Sequence, residues 1–135
     1  MARSFAASMI DHVSLAVRDL ERAGRFYRAV LDAIGYQMLV VRSHTIGFGK
    51  TYPEFWINHR ASMPPIPDDS GAHVGLRVRT PALVDAFHTA ALGNGGSCDG
   101  APGLRPQFGE GYYAAFIRDP DGNRIEVVTF LKANA

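Results

Sequence analysis

The stretch HVSLAVRDLERAGRFYRAVLDAIG at residues 12–35 returns 61 positions later, without gaps, as HVGLRVRTPALVDAFHTAALGNGG at residues 73–96. Nine of the 24 positions are identical: His12/His73, Val13/Val74, Leu15/Leu76, Val17/Val78, Arg18/Arg79, Phe26/Phe87, Ala29/Ala90, Leu31/Leu92 and Gly35/Gly96. Composition alone would give about one or two. The chain is therefore one module used twice.

Each copy opens with strand alternation. Val13, Leu15 and Val17 point one way and His12, Ser14 and Ala16 the other, and Val74, Leu76 and Val78 stand opposite His73, Gly75 and Arg77 in the second copy. The spacing then predicts a helix over about residues 20–33, with Leu20, Ala23, Phe26, Val30 and Ile34 on one face, and another over about 81–92 with Leu83, Val84 and Phe87. Asp19 and Thr80 suit the N-caps, Pro81 the first helical position, and Gly35 and Gly93 the chain reversals.

Short strands are expected at 36–42, 45–49, 54–59, around Ser97, at 112–118 and at 124–130. Asp119, Pro120, Asp121, Gly122 and Asn123 read as a hairpin loop, and symmetric pairing across it sets Arg118 opposite Arg124 and Phe116 opposite Glu126. Residues 60–71, with Pro64, Pro65, Pro67 and Gly71, read as a connection. The expected organisation is an extension at 1–9 and a single domain at 10–135, made of module one (10–59), the connection (60–71) and module two (72–130). The segment from Asp99 to Gly111, rich in glycine with Pro102 and Pro106, is longer than a hairpin needs and reads equally as a loop covering the site, with Arg105 or Gln107 reaching a ligand, or as an irregular surface crossover.

Bulk properties narrow the function classes. At 135 residues, 47% hydrophobic and 20% charged, the chain is an ordinary globular domain. Its 14 Lys and Arg are scattered and nearly balanced by 13 acids, which argues against a nucleic-acid partner. No segment suits a signal peptide or membrane span, so a cytoplasmic location without membrane contact is the expectation. Cys98 is the single cysteine, expected to fill a small site.

His12 and His73 occupy the same slot of the repeat, and Glu126 alternates with Ile125 and Val127, so all three stand opposite the apolar sets. One histidine at a strand start is more often structural than a ligand. Repetition changes that balance, and a buried, unpaired carboxylate would cost roughly several kcal/mol unless a cation or hydrogen bonds offset it. Two imidazoles and a carboxylate suit a divalent metal ion: Fe, Zn, Ni, Co or Mn. Around them, Ser14, Trp56, Phe116 and Arg105 are candidate substrate-pocket residues. Tyr112 is a candidate proton donor, with Tyr113 as its alternative, and Arg77 a candidate carboxylate binder; His44 is a weaker candidate base.

DHVSLAVRDLERAGRFYRAVL at 11–31, AHVGLRV at 72–78 and DPDGNRIEVV at 119–128 together resemble the vicinal-oxygen-chelate superfamily of glyoxalases, bleomycin-resistance proteins and extradiol dioxygenases. The resemblance implies an α+β fold in which two βαβββ modules form an open eight-stranded half-barrel sheet, commonly as a homodimer. It matches His12, His73 and Glu126 to three metal-ligand positions. The implied activity is metal-dependent dioxygenase, lyase or isomerase chemistry on a small substrate that chelates the metal through vicinal oxygens. The alternative is a metal-free protein that sequesters an antibiotic or metabolite. The fourth ligand position of glyoxalase I-like members falls on Trp56, whose indole N–H cannot ligate. A shifted register would bring Glu54 there instead.

Overall fold

The structure is a computed structural model that describes residues 8–132; residues 1–7 of the expected extension lie outside the described residues. Module one contains strand β1 (Val13–Val17), helix α1 (Leu20–Asp32) and strands β2 (Gln37–Val41), β3 (Thr45–Gly49) and β4 (Pro53–His59). Module two repeats the order with β5 (Val74–Arg77), α2 (Pro81–Gly93), β6 (Ser97–Leu104), β7 (Tyr112–Arg118) and β8 (Arg124–Phe130). Each module makes its own four-stranded sheet, β1-β4-β3-β2 and β5-β8-β7-β6, so the eight expected strands form two open sheets of identical topology. In each, the first strand runs parallel to the last and the other pairs are antiparallel.

Local chemistry accounts for the helices. The Asp19 carboxylate accepts the Arg22 N–H at 3.0 Å and the Thr80 hydroxyl accepts the Leu83 N–H at 3.3 Å, each satisfying a donor that the first turn leaves unpaired. Helix α1 buries Ala23, Phe26, Tyr27, Val30 and Leu31, a single stripe at helical spacing. Gly35 turns the chain at φ +90 after α1. After α2 the reversal falls on Gly95 at φ +96, while Gly93, expected to make that turn, is the last helical residue.

Both stripes feed one core, in which Phe26, Tyr27 and Val30 join Val84, Phe87, Ile117, Ile125 and Val127. The β7–β8 hairpin fastens the modules: Asp119 accepts the buried Tyr27 hydroxyl at 2.6 Å, Asp121 accepts the Arg18 N–H at 3.1 Å, and Asn123 donates to the Ala16 carbonyl at 3.0 Å. A Cβ built on Gly96 would stand 2.6 Å from the Phe26 ring and 2.8 Å from the Arg118 carbonyl. Gly96→Ala is accordingly expected to destabilise the chain by about 1–3 kcal/mol, measured by denaturant unfolding, and an unchanged midpoint would contradict this packing.

Two expectations need correction. The segment after Asp99 is strand over much of its length, because β6 runs to Leu104 with register breaks between Cys98 and Gly100 and between Gly100 and Gly103. Glycine and proline break the ladder without ending it, and the loop shrinks to a 3₁₀ turn at Pro106–Phe108. Cys98 is exposed, on the edge strand, within 3.2 Å of the His88 ring nitrogen, and fills no core site. No helix among the described residues is long and apolar enough to cross a membrane.

Candidate functional site

The strand registers identify which positions in the two modules are equivalent. Ser14 pairs with Trp56 in the first sheet, and its repeat partner Gly75 pairs with Glu126 in the second. Trp56 and Glu126 therefore hold the same slot, and module one has an indole where module two has a carboxylate. Glu54, two residues earlier on β4, is not the counterpart of Glu126. Phe116 stands opposite Glu126 and Arg118 opposite Arg124, as the hairpin reading requires.

Glu126 is 5% exposed and is gripped at both oxygens. His73 Nε2 lies 2.9 Å from Oε1, and the Tyr112 hydroxyl donates to Oε2 in a very short bond. Burial, then the hydrogen bond to Glu126 and its charge, push the Tyr112 phenol up to about 12. Phe116 packs 6.4 Å from the His73 ring, and Arg105 spans the Phe116 ring at 5.5 Å while holding the Ala101 and Gly103 carbonyls. Beyond Tyr112, an exposed row continues to Phe130 at 5.3 Å and Phe108 at 5.5 Å, with the Arg77 guanidinium 5.0 Å over Phe130.

Tyr112 gives a test of this contact with a definite sign. Its folded value lies above the ordinary tyrosine value, so its contribution to stability is present below about pH 10 and is lost as pH rises through about 12. Ultraviolet titration of the metal-free protein is expected to find late phenols that include Tyr112 and the fully buried Tyr27, and in Glu126→Gln one of them moves down toward about 10. A set of late phenols left unchanged in that variant would mean that Glu126 does not hold Tyr112.

His12 stands elsewhere. It precedes β1, and its Nδ1 meets Asp11 Oδ2 at 2.7 Å. Among the described residues, no three His, Cys, Asp or Glu side chains converge closely enough to hold a metal ion. His12 and His73 nevertheless line one cleft of about 370 Å³ between the modules, together with Arg77, Tyr36 and the rings of Phe48 and Phe55. Glu54 lines it too, and burial followed by the charge of Glu54 raises the Tyr36 phenol above its ordinary value.

The remaining candidates divide between faces. Ser14 and Trp56 are not in that cleft: Trp56 lies over Gly47, with Arg42 5.8 Å above its ring. Tyr113 donates to Asp85 on α2 at 2.7 Å, which takes it away from Glu126. His44 faces His59 at 6.0 Å, outside the cleft. Sequence reasoning missed Asp11, Tyr36 and the Phe48–Phe55 wall; the two phenylalanines fell within expected strands with nothing to mark them as cleft residues, and Asp11 carried no signal beyond its place beside His12.

Comparison with known proteins agrees with this architecture. The chain matches the family described as "Glyoxalase/Bleomycin resistance protein/Dioxygenase superfamily" over residues 9–127. It is similar to the crystal structure of a glyoxalase/bleomycin resistance protein from Albidiferax ferrireducens, with 34% identity and a TM-score of 0.79, covering 90% of this chain and 99% of that one. A glyoxalase/bleomycin resistance protein/dioxygenase family enzyme from Burkholderia phytofirmans shares the fold at 18% identity and a TM-score of 0.70, covering 92% and 100%. So does a glyoxalase-related enzyme from Fulvimarina pelagi, at 17% and 0.69, covering 91% and 88%. No curated protein matches. With the family matched over nearly the whole domain and two βαβββ modules in the structure, the chain belongs to the glyoxalase/bleomycin resistance protein/dioxygenase superfamily.

Proposed function

We propose that this chain is an enzyme that binds a divalent metal ion at His73 and Glu126 and acts on a small substrate bearing two neighbouring oxygens. The observation that carries this is the approach of His73 Nε2 to Glu126 Oε1 at 2.9 Å, with Glu126 almost wholly buried and His73 half exposed beside the cleft. An imidazole nitrogen and a carboxylate oxygen suit Fe, Zn, Ni, Co or Mn. His12, the third donor of the resemblance, lines the same cleft with its Nδ1 on Asp11, but among the described residues no three such donors converge, so the set is incomplete there. We assign its completion to a homodimer, in which a second copy closes the open faces. A metal bound there would polarise the paired oxygens of the substrate.

The chain's own groups supply the rest. Tyr112, with its phenol at about 12, stays protonated at neutral pH and spends its one hydrogen on Glu126 Oε2, which holds that carboxylate in place beside His73. Arg77 flanks the cleft with a guanidinium suited to a substrate carboxylate. Phe48 and Phe55 give the cleft an apolar wall for the body of the ligand. Its volume of about 370 Å³ falls within the range of small-molecule sites.

One further reading has its own support. An apolar-walled cleft beside an incomplete donor set also suits a metal-free binding protein that sequesters a small molecule. Elemental analysis of protein purified without chelator separates the two. Wild type is expected to carry a stoichiometric metal ion, and His73→Ala and Glu126→Ala to carry none. Equal content in all three would remove the metal site, and a metal-free wild type holding a tight stoichiometric ligand would establish the sequestering function.

A further inference from the structure

The repeat makes His12 and His73 equivalent in sequence, yet the structure gives them opposite surroundings. His12 Nδ1 lies 2.7 Å from Asp11 Oδ2, and the same oxygen accepts the Tyr52 hydroxyl at 3.0 Å. In module two the residue before the histidine is Ala72, and it is the other nitrogen, Nε2, that meets a carboxylate, Glu126, at 2.9 Å. An ionised carboxylate only accepts hydrogen bonds. A neutral His12 must therefore carry its proton on Nδ1 and leave Nε2 bare, whereas His73 carries its proton on Nε2.

We propose that Asp11, itself steadied by Tyr52, is a positioning residue that locks His12 in the Nδ1–H form and leaves a basic Nε2 for the cleft. A carboxylate behind an imidazole fixes its tautomer and ring orientation and strengthens the opposite nitrogen as donor or base. Module one thus presents its imidazole already set to accept a proton or a cation. Module two does not, because its imidazole is tied to Glu126 until something displaces that contact. The pair lies at the mouth of the cleft, half exposed, so it contributes little to the core. The inference rests on the reading above only in giving His12 work at the cleft; the tautomer itself is independent of any activity.

The test uses the full chain, stripped of metal, in wild-type, Asp11→Asn, Asp11→Glu and Tyr52→Phe forms. Long-range ¹⁵N NMR of the imidazoles at about pH 9, where histidine is neutral, is expected to find His12 as Nδ1–H and His73 as Nε2–H in wild type. Asp11→Asn shifts His12 toward Nε2–H with unchanged melting, Asp11→Glu restores the wild-type form, and Tyr52→Phe loosens it partway. Zn²⁺ titration of the same proteins is expected to lose roughly 10-fold or more in affinity in Asp11→Asn. A wild-type His12 already in the Nε2–H form, or no change in Asp11→Asn, overturns the proposal. A tautomer shift with unchanged Zn²⁺ affinity upholds the positioning role and removes His12 from the ligand set.

Discussion

Glu126→Gln is expected to leave the chain folded and to abolish both metal retention and turnover. The substitution preserves volume on a strand where the carboxyl is 5% exposed, so the ladder and the packing beneath it survive. The amide oxygen still accepts the Tyr112 hydroxyl, and no buried polar group is stranded. What disappears is the charge, and with it the anionic donor that pairs with His73. Turnover is expected to fall in step with metal occupancy, to background where the metal is lost entirely. Circular dichroism, metal titration and single-turnover kinetics on one preparation check this. A Gln variant that binds metal as tightly as wild type would overturn the assignment.

Asp119→Ala is expected to produce the largest loss of stability. Asp119 is 4% exposed and accepts four hydrogen bonds: the Tyr27 hydroxyl at 2.6 Å, the Asn123 amide side chain at 2.9 Å, and the backbone N–H groups of Asp121 at 2.9 Å and Asn123 at 2.8 Å. Burial raises the Asp119 carboxyl above its ordinary value even though these donors pull it back. Removing the carboxylate strands a hydroxyl on a completely buried ring and releases the hairpin that joins the modules. The cost is about 3 kcal/mol or more, a fall in Tm on the order of 10 °C for a domain of this size. Tyr27→Phe removes only one of the four bonds and is expected to cost about 1 kcal/mol. Equal losses in the two variants would place the stabilisation in the Tyr27 contact alone.

The architecture was legible because it is written twice. Identity at the 61-residue offset, two N-caps and a Pro- and Gly-containing hairpin each depend on a few neighbouring residues, and all hold in the structure. The Trp56 slot was legible for the same reason, since strand pairing transfers a residue's place from one copy to the other. The site was only partly legible. The approach of His73 to Glu126 follows from β5 lying beside β8, a relation within one module. The placing of His12 depends on how one module sits against the other and on Asp11, a residue its copy lacks, so repetition gave no guide to it. Edge strand β6 was obscured because its glycines and prolines are turn formers by composition, and only pairing with β7 keeps them extended.

The unequal slots held by Trp56 and Glu126 mean that two modules alike in topology are unlike in charge. At one shared register position the first sheet carries an indole lying over Gly47 and the second an ionisable group tied to His73, so the copied fold does not carry a copied chemistry.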